Sequence, residues 1–180
     1  MNRQQMLNQA NNAVSAATRA LAWVISSEEY RPAMLRGIAT DDFDRLMERY
    51  FPGTGTDRKA LASGCAPLRD DEFQDILDLL MEYRADDSDE TTWLANAVAA
   101  ACLGGNHLWQ DLGLANRQEL SGLLQANFPL LYARNTGNMK WKKFFYKQLC
   151  ERAEVQACRA PSCAVCGDYA ACFGGEEAAA

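Results

Sequence analysis

Four of the seven cysteines lie close together near the C-terminus, in the stretch CRAPSCAVCGDYAACFGG at residues 158–175. They are spaced C-x4-C-x2-C-x5-C, at Cys158, Cys163, Cys166 and Cys172. Thiolate sulfur is a soft ligand that suits zinc, copper(I) and iron–sulfur clusters. An odd number of cysteines also argues against a closed disulfide framework. The spacing therefore predicts a metal-binding segment, which we call the cysteine motif.

The start of the chain bears on the redox state of these thiols. It reads MNRQQMLNQANN and is polar, with no apolar stretch and small-residue cleavage site after it. No run approaches the ~18 uninterrupted apolar residues of a membrane helix. We therefore expect a cytoplasmic protein without a membrane partner. Cytosolic thiols stay reduced, which favours metal over disulfides in a dense cysteine cluster.

The spacing of the cysteines ranks the possible metals. Structural zinc sites usually pair two CxxC-like turns across a longer loop, and this motif has one such turn, at Cys163 and Cys166. Iron–sulfur clusters often take close, sequential cysteines that begin C-x4-C-x2-C. The residues alone favour iron–sulfur over zinc, and either over metal-free thiols.

The remaining cysteines and the only histidine are weaker candidates. Cys102 lies among alanines and Cys150 ends an aromatic helix, so both are expected to be small core residues, and Cys65 a loop thiol. His107 follows Gly104-Gly105. A lone histidine is more often structural, but imidazole also binds many transition metals.

The distribution of charge excludes some classes of function. The net charge is −6 overall, but residues 131–180 carry a net +2. Overall acidity argues against nucleic acid as a partner. Four lysines fall together and form either a solvated helix face or an anion-attracting patch; they are Lys140, Lys142, Lys143 and Lys147. The sequence lacks the common catalytic motifs. No nucleophile elbow, P-loop, HExxH or GxGxxG motif is present, so ordinary hydrolase or nucleotide chemistry has no basis here.

The sequence predicts that the elements which position these residues are helices. Apolar residues recur at intervals of three and four from Gln4 to Ile25 and in DDEFQDILDLLMEYR, where Phe73, Ile76, Leu77, Leu80 and Met81 form one stripe. Further predicted helices are TDDFDRLMERYFPG with Thr40 as N-cap, DETTWLANAVAAACLGG ending at Gly104-Gly105, NRQELSGLLQANFP with an Asn116 cap, and NMKWKKFFYKQLCERA. No window alternates as a strand does.

The pattern predicts an all-α protein, an irregular helical bundle with a C-terminal cysteine-rich metal-binding loop. We divide it into a helical domain at 1–157, a cysteine-rich cluster-binding loop packed on it at 158–175, and a frayed tail at 176–180. The segment GTGTDRKALASGCAPLRDD is expected to be a loop between the N-terminal helices and the rest. The cysteine motif, rich in Gly and Pro, is not expected to form a regular helix.

Three stretches carry a resemblance to a known family. NHLWQDLGLANRQELSGLL, FPLLYARNTGNMKWKKFFYKQLCE and CRAPSCAVCGDYAACFG closely resemble the NifQ proteins of nitrogen fixation. The resemblance covers roughly residues 100 to 175, and MKWKKFFYKQLC and the cysteine motif are its most specific parts.

The resemblance implies a molybdenum carrier rather than a turnover enzyme. NifQ-like proteins hold a molybdenum–iron–sulfur cluster and deliver molybdenum for the iron–molybdenum cofactor of nitrogenase, with molybdate as the metal source and, at most, its non-turnover conversion to a sulfide-bound form. The cluster ligands map onto Cys158, Cys163, Cys166 and Cys172. The implied partners are the assembly scaffold NifEN and the nitrogenase iron protein NifH.

Two further roles follow from the chemistry of the cargo. His107, in a segment typical of the family, becomes a candidate molybdenum ligand. The four lysines, with Arg134 and Arg159, are placed to attract molybdate or to offset the negative charge of a cluster. A loop at the chain end, held by a helix at one side and free at the other, would release cargo with little disruption. The alternatives are an iron–sulfur electron carrier and a zinc-stabilised helical interaction module.

Overall fold

The computed structural model of the protein describes residues 15–53, 58, 61, 70–154, 166–167 and 169–176, and the regular structure within these ranges is helical. It contains α1 Ala16–Ser26, α2 Arg31–Gly37, α3 Thr40–Tyr50, α4 Asp70–Glu82, α5 Asp89–Cys102, α6 Leu108–Asp111, α7 Arg117–Asn127, α8 Pro129–Arg134, α9 Trp141–Arg152 and α10 Tyr169–Phe173. The predicted all-α class is confirmed for this part of the chain. The predicted loop after Gly53 and the first turns of the predicted Gln4–Ile25 helix lie largely outside the described residues.

The alanine-rich helix α5 is the centre of the bundle. It packs against α1, α2, α3, α4 and α6. From Trp93 to Cys102 every side chain is buried, as is expected of a helix that is apolar all round. Ser88 caps it by accepting a hydrogen bond from the Thr91 N–H at 3.2 Å, and acidic residues in its first turn suit the helix dipole.

The predicted apolar stripe of α4 is largely confirmed. Phe73, Ile76, Leu77 and Leu80 are buried, and Met81 is half-buried against the core. The stripe omitted Leu79, which is fully buried. The reason is that α4 packs against both α5 and α9, so more of its circumference is covered than a surface helix would have.

Two of the three predicted helix ends, at Asn116 and at Gly104-Gly105, agree with the structure, and the one at Thr40 differs. Asn116 caps α7, with its side chain accepting from the Glu119 N–H at 2.9 Å. Thr40 is the first residue of α3 rather than its cap, which is Ala39 without a side-chain bond. Helix α5 ends at Cys102 with Leu103 as its cap, and Gly104 follows.

The C-terminal part of the chain returns to the body of the bundle. In α9, Trp141, Phe144 and Phe145 are buried as predicted, while Leu149 is only partly buried. The prediction that the cysteine motif forms no helix is wrong at its described end, because Tyr169–Phe173 forms one short helix. Cys172 and Phe173 pack against the core. The proposed domain boundaries stay a prediction.

Within the described ranges, no helix is both long enough and apolar enough to cross a lipid bilayer.

Candidate functional site

A cavity of about 610 Å³ opens between the α5–α6 loop, the start of α9 and the C-terminal segment. Its lining brings together His107, three of the four predicted lysines and the cysteine helix α10. The residues that line it are Glu72, Cys102, Leu103, Gly104, Gly105, Asn106, His107, Leu108, Gln110, Lys140, Trp141, Lys142, Lys143, Tyr146, Ala171 and Glu176. We call Gly104 and Lys142, which line the cavity, the floor, together with Asp111, which pairs with Lys142, and Tyr30, which bonds to Asp111; we call His107, Lys140 and Lys143 the rim.

Asp111 organises the floor. Its side chain is 1% exposed. The carboxylate accepts hydrogen bonds from the Tyr30 hydroxyl at 2.7 Å, from the Asn106 N–H at 3.2 Å and from the Asn106 side-chain amide at 2.9 Å. These bonds fix the loop that leads into α6. Burial, reinforced by the hydrogen bond to Asp111, raises the pKa of Tyr30 far above its ordinary value, so Tyr30 acts as a donor.

Lys142 completes the floor from the opposite side. Its ammonium forms an ion pair with Asp111 and donates to the Gly104 carbonyl at 2.8 Å. The side chain is 15% exposed. A charge that is already matched by a buried carboxylate contributes less to the attraction of an incoming anion. The anion-attracting role of Lys142 stays a prediction, and the structure adds a structural role.

Lys140 and Lys143 differ from Lys142 in this respect. Lys143 is exposed and Lys140 half-buried, and neither ammonium has a partner among the described residues. Lys147 is separate: it pairs with Glu151 and lines a second cavity, of about 400 Å³, beside Phe173. The sequence treated the lysines as one group, whereas the fold places their side chains in different surroundings.

His107 lies on the rim as the residue before α6. Its backbone N–H donates to the Gln110 side chain at 3.1 Å. The imidazole is 31% exposed, and its Nδ1 is 3.8 Å from the Glu176 carboxylate. The fold therefore brings His107 to the same cavity as Lys140 and Lys143, more than thirty residues along the chain.

The described cysteines divide into buried and accessible thiols. Cys102, predicted as a small core residue, is 3% exposed, which confirms the prediction. Burial raises the pKa of Cys102 to about 12, with Lys142 opposing the rise, so this thiol stays protonated at neutral pH. Cys150, Cys166 and Cys172 are half-buried and not in disulfides. Cys158, Cys163 and Cys65, together with Arg159, lie outside the described residues.

The backbone of the cysteine helix is joined to the cavity wall. The Lys140 N–H donates to the Cys172 carbonyl at 2.7 Å. The Phe173 ring lies over Gly137, where an added Cβ would approach it to 3.2 Å, and it stacks on Tyr169 at 4.4 Å between ring centres. Within the described ranges, no three His, Cys, Asp or Glu side chains are arranged to hold a metal ion. The ligand set of the full cysteine motif stays a prediction.

Two charged residues at the site were missed by the sequence analysis. The Glu176 carboxylate, 5% exposed, pairs with Arg117, whose side chain is 16% exposed. Glu176 was expected in a frayed tail, but it is held in this ion pair. No local sequence signal joins the two, because they are fifty-nine positions apart.

Comparison with known proteins identifies the family. The sequence profile of NifQ matches residues 7–174. Protein NifQ of Azotobacter vinelandii is 44% identical over 151 residues, which are 78% of this chain and 77% of the relative. The NifQ proteins of Rhodobacter capsulatus and Klebsiella pneumoniae are each 37% identical, over 76% of this chain and 74% and 84% of their own lengths. No solved structure matches significantly. The chain therefore belongs to the NifQ family, as its three characteristic stretches indicated.

Proposed function

We propose that this NifQ-family protein, acting in nitrogen fixation, carries molybdenum in an iron–sulfur cluster and passes it on for assembly of the nitrogenase iron–molybdenum cofactor. The cluster is the cargo, and its ligands are Cys158, Cys163, Cys166 and Cys172. The protein is a carrier rather than a turnover enzyme. NifEN and NifH are the proposed partners in delivery.

One observation supports the proposal: the cavity with Lys140 and Lys143 on its rim adjoins the helix that holds Cys172. Molybdate is a hard oxyanion, whereas molybdenum in a sulfide cluster has soft ligands. Lys140 and Lys143 carry positive charge on the rim with no ion-pair partner in the part of the chain that the structure describes, and the helix that holds Cys172 forms the adjoining wall. An oxyanion attracted to the rim is thus brought next to the helix that holds the last cysteine of the motif.

The chemistry of the described donors fits an anionic cluster. Cys166 and Cys172 are half-buried and outside disulfides, which leaves their sulfur atoms available as ligands. Cys102 faces the same cavity but stays protonated, so we exclude it from the ligand set. His107 is the proposed ligand on the molybdenum side, because its imidazole lies at the same rim.

The metal content of the protein tests this function. After anaerobic purification and reconstitution with iron, sulfide and dithionite, molybdate is added, and iron, molybdenum, sulfide and zinc are measured per chain. We expect iron, sulfide and molybdenum together. Zinc alone would overturn the proposal in favour of the interaction module, and iron without molybdenum would favour the electron carrier.

Single cysteine substitutions locate the cargo. Cys→Ala at each motif position is expected to lower iron and molybdenum together, because each removes one soft ligand. Cys150→Ala is the matched control, since Cys150 is also a half-buried thiol but lies outside the motif. Equal losses in the control would contradict the assignment of the ligands.

The rim lysines are tested by molybdate uptake at low and high salt. Lys140→Gln and Lys143→Gln are expected to weaken uptake several-fold at low ionic strength, with the difference shrinking as salt screens exposed charge. Lys147→Gln is the matched control, because Lys147 pairs with Glu151 beside the other cavity. The proposed role of His107 is tested by the metal content of one variant. His107→Ala is expected to lower molybdenum per chain without lowering iron per chain. Unchanged molybdenum would remove His107 from the site.

A further inference from the structure

Arg117 joins three segments that meet at the cavity. It is the first residue of α7, whose Leu120, Leu123 and Leu124 are buried in the core. Its Nη2 donates to the Asn138 carbonyl at 3.0 Å, to the Asn138 side-chain oxygen at 2.9 Å and to the Met139 carbonyl at 2.8 Å. Its Nη1 pairs with the Glu176 carboxylate. One guanidinium therefore ties the α8–α9 connection and the C-terminal segment to a helix that is fixed in the core.

The connection that Arg117 binds is itself held in one conformation. Asn138 has a φ of 54°, in the left-handed region that asparagine tolerates better than most residues. The Asn135 side chain accepts from the Met139 N–H and donates to the Met139 carbonyl, each at 2.8 Å. The next residue, Lys140, donates its N–H to the Cys172 carbonyl at 2.7 Å. The backbone position of Cys172 is thus coupled, through two residues, to Arg117.

Glu176 supplies a second attachment on the other side of Cys172. It lies four residues after Cys172, and its carboxylate is almost completely withdrawn from water. A buried carboxylate is strongly destabilising without a partner, so the Arg117 pair is needed to keep this segment on the body. The C-terminal end of the cysteine motif is therefore anchored, in contrast to the free end expected from the sequence.

We infer that Arg117 is a positioning residue for Cys172: together with Glu176 it forms a clasp that holds the last cysteine of the motif beside Lys140, at the wall of the cavity. This inference rests on the proposed function. The clasp sets where a cluster bound to the motif meets the groups that supply molybdenum. Arg117 acts on Cys172 through backbone contacts and does not itself line the cavity, whereas Glu176 lines it beside His107.

Arg117→Gln tests the clasp, because glutamine keeps polar donors but carries no charge to pair with Glu176. Iron per chain is expected to stay unchanged, since the variant retains all four motif cysteines. Molybdenum per iron is expected to fall roughly tenfold, the lower range for loss of a group that orients metal ligands. A general loss of folding would lower iron and molybdenum together.

A metal-free measurement checks the position directly. Hydrogen exchange of the Lys140 amide, which donates to Cys172, is expected to become faster in Arg117→Gln, while the amides of α5 stay protected. Glu176→Gln should have the same effects, and the double variant should be no worse than either single one, because both break the same clasp. Arg49→Gln is the matched control, since Arg49 pairs with Glu90 away from the cavity.

The outcomes separate the clasp from the proposed function. If the wild-type protein takes up no molybdenum, the proposed function fails, and the exchange rate of the Lys140 amide still decides the clasp. If the wild-type protein loads molybdenum and both clasp variants load it equally, the inference is overturned. Unchanged exchange at Lys140, or additive losses in the double variant, overturns it as well. Should Arg117→Gln lose iron through misfolding, Glu176→Gln decides.

Discussion

The floor and the rim of the cavity both contain lysine side chains, but these differ in whether their charge is matched by a neighbouring group. Lys142 and Lys143 are adjacent in sequence, but Lys142 is bonded to Asp111 and Gly104, whereas Lys143 is exposed without a partner among the described residues. The charge of Lys142 in the floor is thus matched by internal bonds, whereas the charge of Lys143 on the rim is not matched within the described residues. A surface of this kind on a rigid support suits the proposed role of the rim, because functional groups are held in place by a fixed surrounding.

The largest expected effect comes from breaking the floor. Asp111→Asn keeps the shape of the side chain but removes the charge that pairs with the Lys142 ammonium. Loss of one partner of a buried ion pair costs about 3–5 kcal/mol, because the other charge remains withdrawn from water. We expect a decrease of this order in the free energy of unfolding, measured by urea denaturation of the metal-free protein.

The control for this prediction is an exposed carboxylate. Asp44 lies on the solvent side of α3, so Asp44→Asn should change the free energy of unfolding by less than about 0.5 kcal/mol. If Asp111→Asn were as mild as Asp44→Asn, the floor would not be the stabilising half of the cavity, and the comparison with the rim would fail.

Adjacent glycines give a sharper contrast within one loop. A Cβ at Gly104 would lie 2.6 Å from the Tyr30 hydroxyl and 2.7 Å from the Asp111 carboxylate, whereas a Cβ at Gly105 would meet nothing within 4 Å. Gly104→Ala should therefore cost about 1–3 kcal/mol by overpacking. Gly105→Ala should be neutral or slightly stabilising, because it restricts the unfolded chain.

Thermal denaturation of the two alanine variants makes the measurement. Equal melting temperatures would show that the floor yields to an extra methyl group, and that its bonds are less rigid than the distances imply. A lower melting temperature for Gly104→Ala alone would show that the tightly packed part of the loop includes Gly104 and ends before Gly105.

The same glycines show what the sequence could and could not predict. Gly104-Gly105 correctly marked the end of a helix, and Asn116 correctly marked the start of another, because caps are local signals. The structural requirement for glycine at position 104 is not its backbone conformation, because Gly104 does not adopt a positive φ. Glycine is required there because Tyr30 and Asp111 lie too close for a Cβ. Such long-range contacts leave no mark on a local pattern.

The same difference between local signals and long-range contacts applies to the residues of the site. The cysteine motif and the lysine group could be found by spacing and composition, and the apolar face of α9 could be found by its period. The separation of Lys147 from Lys143 could not, because which face of a helix borders a cavity depends on the packing of its neighbours. The Arg117–Glu176 clasp was missed for a related reason: a single acidic residue near a chain end is usually solvated.

The smallest expected effect is the pH dependence of stability caused by Cys102, a buried thiol that lines the cavity. Burial raises the pKa of Cys102 from 9.0 to about 12. The unfolded chain releases this proton first, so the contribution of Cys102 to stability is complete below pH 9 and is lost as the pH rises towards 12. Between pH 9 and pH 10 the wild-type protein should lose about 1 kcal/mol more than Cys102→Ala. Tyr30 and Tyr50, whose pKa values are also raised, are present in both proteins and cancel in the difference. Urea denaturation at each pH measures this difference, and parallel curves for the two proteins would mean that the Cys102 thiol is solvated in the folded protein.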